Sequence, residues 1–167
     1  MRKVKYLTIG GLCTALAVLF QVMPVFLTEA ALPLSILSII PIYFVTRLNS
    51  RIGFQAYIAS GLLIMFITVH EGLIFFFANG ITALSLATFT NQKRSKSLCI
   101  VLSTIVLTCS LLILNFSIGF PLFGGDLSIS YVYQSLLILS VAFIYSIIMG
   151  YLCEFTFRIL KTRVFAL

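Results

Sequence analysis

Charge is scarce in this chain. Of its 167 residues only 9% are Asp, Glu, Lys or Arg, against a hydrophobic share of 61% and a mean hydropathy of +1.18, which excludes an ordinary soluble domain. There is a single histidine, so no multi-histidine metal site can form and no metal site is expected. The four cysteines, Cys13, Cys99, Cys109 and Cys153, stand singly inside apolar runs. They lack the paired spacing of zinc or redox motifs and read as small packing residues. No HExxH, no GxSxG and no phosphate-binding glycine loop occurs, so neither an enzyme nor a cofactor is expected. His70-Glu71 alone makes a poor acid–base pair, because neighbours on a helix point about 100° apart.

What the chain has instead is long apolar runs. A bilayer-spanning helix needs about 20 mostly apolar residues, and runs at about 6–27, 31–46, 52–69, 72–90, 98–118 and 131–157 meet or approach that length. The expected fold is all-α, a single transmembrane domain over 1–167 built as a bundle of six helices. The first run has the basic start of a signal peptide but is longer than its apolar core and is followed by more spans, so it reads as a retained helix. The second holds Pro33 and Pro41; Pro33 suits a first turn, whereas Pro41 removes an internal hydrogen bond and predicts a kink. Between the third and fourth runs stand only His70 and Glu71, which predicts a tight antiparallel hairpin. Residues 91–97 form the most polar loop, and three glycines and a proline in 119–126 break any helix.

The distribution of charge orients the bundle. With six spans, all eleven Lys and Arg fall on one side: at the N-terminus, at 47–51, at 93–96 and in the C-terminal tail. Cytoplasmic segments accumulate such residues, which places both termini in the cytoplasm. The +7 formal charge is therefore a topology signal and not a nucleic-acid footprint. Glu29, His70, Glu71 and Asp126 face the other side, and only Glu154 joins the cations. The expected location is a cell membrane, of the bacterial plasma-membrane type, crossed several times.

The spans carry almost no ionisable group away from their ends, which disfavours a self-powered ion-coupled carrier. Their amides and phenols gather toward the outer half. Gln21, Glu29, His70, Glu71, Asn79, Asp126, Tyr131 and Gln134 are the candidate solute-binding residues of an outward-facing cavity; the plain alternative is interhelical hydrogen bonding and a solvated surface. External carboxylates without external cations make an anionic solute the least suited. Cationic, zwitterionic or metal solutes fit that side better. Small residues at helix-packing spacing, Gly11 with Ala15, Ala56 with Ser60 and Ala83 with Ala87, allow close backbone approach. Gly11 and Ala15 are the candidate docking positions for a partner helix.

A basic start, a first span carrying Gly11-Leu12-Cys13-Thr14-Ala15, six helices, cytoplasmic termini and polar outer loops together resemble the S components of energy-coupling factor transporters. Gly11 stands where that family usually has alanine. The resemblance implies a membrane subunit that captures a vitamin or metal outside and depends on a transmembrane coupling protein and two ATPases. A second expectation, from another class, is a non-catalytic scaffold of a cell-envelope complex, similar to the shape-determining protein MreD. A third is an immunity or assembly factor for a secreted peptide.

Overall fold

The computed structural model describes residues 2–27, 32–119 and 131–165, and among these every regular element is helical. In chain order they are α1 (Arg2–Leu27), α2 (Leu32–Ile36), α3 (Ile39–Leu48), α4 (Ser50–Ile67), α5 (Val69–Ile74), α6 (Gly80–Asn91), α7 (Lys96–Leu112) and α8 (Tyr131–Phe165), with π-helical turns π1 (Phe75–Asn79) before α6 and π2 (Ile113–Ser117) after α7. Five continuous helical stretches are long and apolar enough to cross a membrane, and Pro33–Leu48 forms a shorter sixth. This agrees with a multi-pass membrane protein.

An apolar core is present, but it holds more polar side chains, and the surface more apolar ones, than in a water-soluble domain. Gln21, Ser38, Thr46, Ser60, Thr82 and Ser103 are fully buried, whereas Phe66 is 88% exposed and Phe26 77%. In hydrocarbon, apolar side chains lose nothing by facing outward, and polar ones must find partners within the bundle. Ser85 and Ser103 hydroxyls meet at 2.7 Å between α6 and α7. Cys13, Cys99 and Cys153 are buried and Cys109 is exposed; none is in a disulfide.

Three local irregularities shape the bundle. The kink expected from Pro41 lies upstream, at Leu37-Ser38, between α2 and α3. Pro41 has no N–H for the Leu37 carbonyl, which accepts from the Ile40 N–H at 3.1 Å instead, and the proline ring crowds the carbonyl four residues back. Pro41 itself sits in the first turn of α3, where a missing N–H costs no internal bond.

The hairpin expected at His70-Glu71 is tighter than two residues. The turn is Thr68 alone, extended at φ −147° and ψ 120°, and its N–H still bonds Ile64 O at 2.8 Å while its carbonyl accepts from Gly72 N at 3.1 Å. His70 and Glu71 lie in the first turn of α5, where a carboxylate is favoured by the helix dipole. Asn49 makes the corresponding turn between α3 and α4, its Oδ1 accepting from Arg51 N at 3.0 Å and Ile52 N at 3.4 Å.

At π1 the Gly80 N–H bonds Phe75 O rather than Phe76 O. The Phe76 carbonyl so released accepts from the Tyr57 hydroxyl at 3.0 Å. Tyr57 also stacks on Phe75 at 6.1 Å and meets Phe76 edge-on at 5.4 Å. Phe75 is fully buried, so the widened turn takes one of three consecutive phenylalanines inward and resets which face Asn79 presents.

The hairpin at Thr68 depends on a missing side chain. A Cβ on Gly72 would overlap Met65 Cγ and lie 2.9 Å from Met65 Cα, so α4 and α5 would have to separate. Gly72→Ala is expected to destabilise the detergent-solubilised protein by about 1–3 kcal/mol, the usual range for overpacking. A Cβ on Gly11 meets nothing within 4 Å, so Gly11→Ala should leave the melting temperature unchanged or slightly raised. Thermal unfolding of the two variants, followed by helical circular dichroism, checks both outcomes.

Candidate functional site

Four separate helical stretches bring their polar side chains to one point. Gln21 from α1, Ser38 from the break before α3, Glu71 from α5, Asn79 from π1 and Tyr145 from α8 form a continuous chain of hydrogen bonds. Tyr145 OH donates to Asn79 Oδ1 at 2.5 Å. Asn79 Nδ2 donates to Gln21 Oε1 at 2.8 Å and to Ser35 O at 3.2 Å. Gln21 Nε2 donates to Glu71 Oε2 at 2.8 Å, and Ser38 Oγ donates to Gln21 Oε1 at 2.8 Å. Gln21 and Ser38 are fully buried and Asn79 is 4% exposed.

The direction of every bond follows from Glu71. An ionised carboxylate accepts only, so the Gln21 atom beside it must be the amide nitrogen. Gln21 then turns its oxygen to Asn79, which must donate, and Asn79 is left with an oxygen for Tyr145. From Tyr145 through Asn79 to Gln21 one proton of each thus points toward the carboxylate, while the second Asn79 N–H goes to Ser35 O. Each bond in such a chain polarises the next.

The irregular backbone supplies the rest. The break at Leu37-Ser38 sends the Ser38 hydroxyl to Gln21 and leaves Ser35 O within reach of Asn79. Non-helical backbone is tolerated at membrane depth where it is buried in protein or lines a cavity. Here it does both. From Glu71 to Asn79 is eight residues, about 12 Å of helix, so the chain descends from the acidic end toward the middle of the bundle.

Above this chain, α2, α5–π1, α7 and α8 enclose a cavity of about 490 Å³, open on one side. Its wall is apolar, with Pro33, Ile36, Ile74, Leu107, Leu111 and Val141, and its polar groups are Ser35, Asn79 and Tyr145. None of these described lining residues is charged. α8 is held against α3 at the other end, where Phe157 meets Tyr43 and Phe44 at 6.3 and 5.6 Å. At the acidic end it stands off, and the gap is the cavity.

The hydrogen-bond inventory decides what this cavity can bind. Both N–H groups of Asn79 are spent on Gln21 and Ser35, and the one phenolic proton of Tyr145 is spent on Asn79. Tyr145 oxygen keeps a lone pair. At Asn79 and Tyr145 the polar end therefore offers acceptors and asks for a donor.

Of the residues expected to form a site, Gln21, Glu71 and Asn79 come together and His70 does not; it is exposed on α5. Tyr131 is 76% exposed and packs edge-on against Phe116 at 5.7 Å, lining a separate shallow groove with Val132 and Ser135. It starts α8 fourteen residues before Tyr145, about 21 Å away along the helix. Gln134 is half-buried in the same first turn. Glu29 and Asp126 lie outside the described residues. Gly11 and Ala15 are exposed on α1, whereas the glycine that packs within the bundle is Gly10, whose added Cβ would lie 2.7 Å from Ile52 Cγ2.

Sequence reasoning missed Tyr145, Ser38 and Ser35. Only Tyr145 left a signal, a tyrosine in the middle of an apolar run. Among the described residues no group of three His, Cys, Asp or Glu side chains converges on a metal-sized site. No protein-family model, no curated protein and no solved structure matches this chain.

Gln21 is the hub. Gln21→Leu leaves the Ser38 hydroxyl and one Asn79 N–H without their acceptor and is expected to cost about 1–3 kcal/mol. Tyr133→Phe, at a phenol 68% exposed, should be neutral. Comparing the melting temperatures of the two variants with wild type tests whether the chain holds the bundle together.

Proposed function

We propose that this protein is a membrane-embedded solute-binding subunit of a micronutrient uptake transporter, of the S-component kind, which captures a small solute from the acidic side and relies on a separate ATP-driven coupling module. The observation that carries the reading is the cavity between α2, π1 and α8, apolar in its walls and ending on two oriented acceptors. Ligand pockets have this composition, with few polar groups fixing orientation inside a hydrophobic enclosure. Transporter sites also recur where a membrane helix is interrupted, and here both the α2–α3 break and π1 reach the cavity. The absence of nucleotide-binding motifs in the sequence fits a subunit driven by others.

The chemistry narrows the solute. The sequence pattern pointed to cationic, zwitterionic or metal solutes. An uncharged wall with acceptors at its end favours an amine, amide or hydroxyl donor attached to an apolar ring or chain. The carboxylate of Glu71, two bonds from Asn79, polarises those acceptors and favours partial positive charge on the donor. A bare metal ion would find too few ligands here.

A second reading rests on a different observation. Leu7, Gly10, Gly11, Thr14, Ile52, Gln55, Ala56 and Ala59 line a groove of about 230 Å³ between α1 and α4. Small residues with an exposed amide on the lipid-facing side suit a docked helix, as in a cell-envelope scaffold. A coupling subunit would also use such a groove. A scaffold and a solute-binding subunit part company at the cavity, which only the second requires.

Screening donor-bearing vitamins and amino-acid derivatives by thermal shift tests the proposal, since a ligand at a hundred times its Kd adds about 2.7 kcal/mol of stability. Asn79→Ala and Tyr145→Phe are expected to weaken retention of the stabilising solute about tenfold each, the loss of roughly one hydrogen bond. His70→Ala should leave it unchanged. If no solute stabilises the wild-type protein, the solute-binding reading fails, and recovery of a membrane partner without an ATPase then favours the scaffold.

A further inference from the structure

The opposite end of the bundle holds a second cavity, with the reverse electrostatics. It measures about 150 Å³ and lies between α3, α6, α7 and α8. Arg94, Lys96 and Arg158 line it, with Thr90 and the phenol of Tyr43 as neutral polar groups. Its apolar floor is Leu86 and Ile100 against Gly150, where an added Cβ would lie 3.3 Å from Ile100 Cγ1.

Among the described residues Glu154 is the only carboxylate in the lining, and it is already engaged. It accepts from Tyr43 OH at 2.9 Å, pairs with Arg158 Nε at 3.4 Å, and stands 3.9 Å from Arg47 Nη2. Arg47, behind it, keeps a buried Nε with no acceptor, although its Nη1 donates to Asn91 at 3.2 Å. Three cations thus line the cavity and a fourth, Arg47, stands behind it, against one carboxylate. Lys96 Nζ sits 3.6 Å over the Tyr151 ring, which holds the ammonium at the rim without neutralising it.

We infer that this cavity binds a phosphate-bearing anion, with the phosphate held by Arg94, Lys96 and Arg158 and the attached carbon framework resting toward Leu86 and Ile100. Guanidinium groups pair well with phosphate oxygens, and Lys adds a point charge. Basic pockets between membrane helices bind anionic headgroups. The same chemistry admits a water-soluble phosphate ester. This inference does not rest on the solute-binding reading.

The test uses the full chain, delipidated in neutral detergent, and Arg94→Gln with Lys96→Gln as a double variant. Both residues are exposed, so the variant should melt as wild type without additive. Arg51→Gln with Lys93→Gln removes the same charge at the same end, outside the cavity. Native mass spectrometry and thermal shift then follow phosphatidylglycerol, phosphatidylcholine, glycerol 3-phosphate and inorganic phosphate.

Preferential retention of phosphatidylglycerol, about tenfold weaker in the cavity variant and unchanged in the control, supports the site with a lipid source. Stabilisation by glycerol 3-phosphate or inorganic phosphate, with the same dependence on Arg94 and Lys96, supports it with a soluble source. Equal loss in both double variants would mean general surface charge and overturns the inference, as does no preference for any phosphate anion over phosphatidylcholine.

Discussion

A carboxylate can only accept, and the interior of this bundle is arranged around that fact. Glu71 receives the Gln21 amide nitrogen at 2.8 Å, and this single assignment fixes Gln21, then Asn79, then Tyr145. The Ser35 carbonyl, which also can only accept, requires the same Asn79 nitrogen at 3.2 Å, so neither amide has an equivalent second arrangement. Four helical stretches, with bonded residues up to 66 positions apart, thus have one mutually consistent solution. In a membrane, where apolar packing alone gives little drive for one helix to choose another, such polar agreement contributes specificity beyond its energy.

The backbone departs from the α-helix where that agreement needs it. A regular helix from Ile74 onward would give the Phe76 carbonyl to Gly80; π1 gives Gly80 the Phe75 carbonyl, and Tyr57 takes the one released. The extra residue in the turn rotates Asn79 relative to the helix before it. On the facing element, Pro41 opens the chain at Leu37-Ser38 and frees a hydroxyl for Gln21. Both irregularities are satisfied by side chains of neighbouring helices, which is the condition for their survival at membrane depth.

Much of this was legible in the sequence, and the remainder was hidden for physical reasons. The apolar runs located the helices because length and hydropathy act locally. Pro41 announced a break, since its effect on the carbonyl four residues back is fixed by its ring. Gln21, Asn79 and Glu71 stood out individually as polar groups in the acidic half. Their convergence did not, because nothing in the local sequence says which face of α1 meets which face of π1. The register set by π1 depends on Tyr57, a residue two helices away in the chain's path. Tyr145 was passed over because a phenol in an apolar run is ambiguous until its oxygen has a partner. The hairpin was placed two residues late because His70 and Glu71 look like a turn, whereas Thr68, flanked by Gly72 on the facing helix, makes one.

The two ends of the molecule now read as chemically complementary, and for one reason. At the basic end the sole carboxylate among the described residues, Glu154, is covered by Arg47, Arg158 and Tyr43, so the cations lining the cavity outnumber their counter-charge and it calls for an anion. At the acidic end Glu71 accepts from the neutral amide of Gln21, which passes its influence along to Asn79 as an oriented dipole without cancelling it. The described lining of the cavity beyond these amides is therefore uncharged yet biased, with acceptors held outward by the charge of Glu71. A group bearing N–H or O–H can meet those acceptors, whereas the Tyr145 and Asn79 protons that a carboxylate or phosphate would need are already given to Asn79, Gln21 and Ser35.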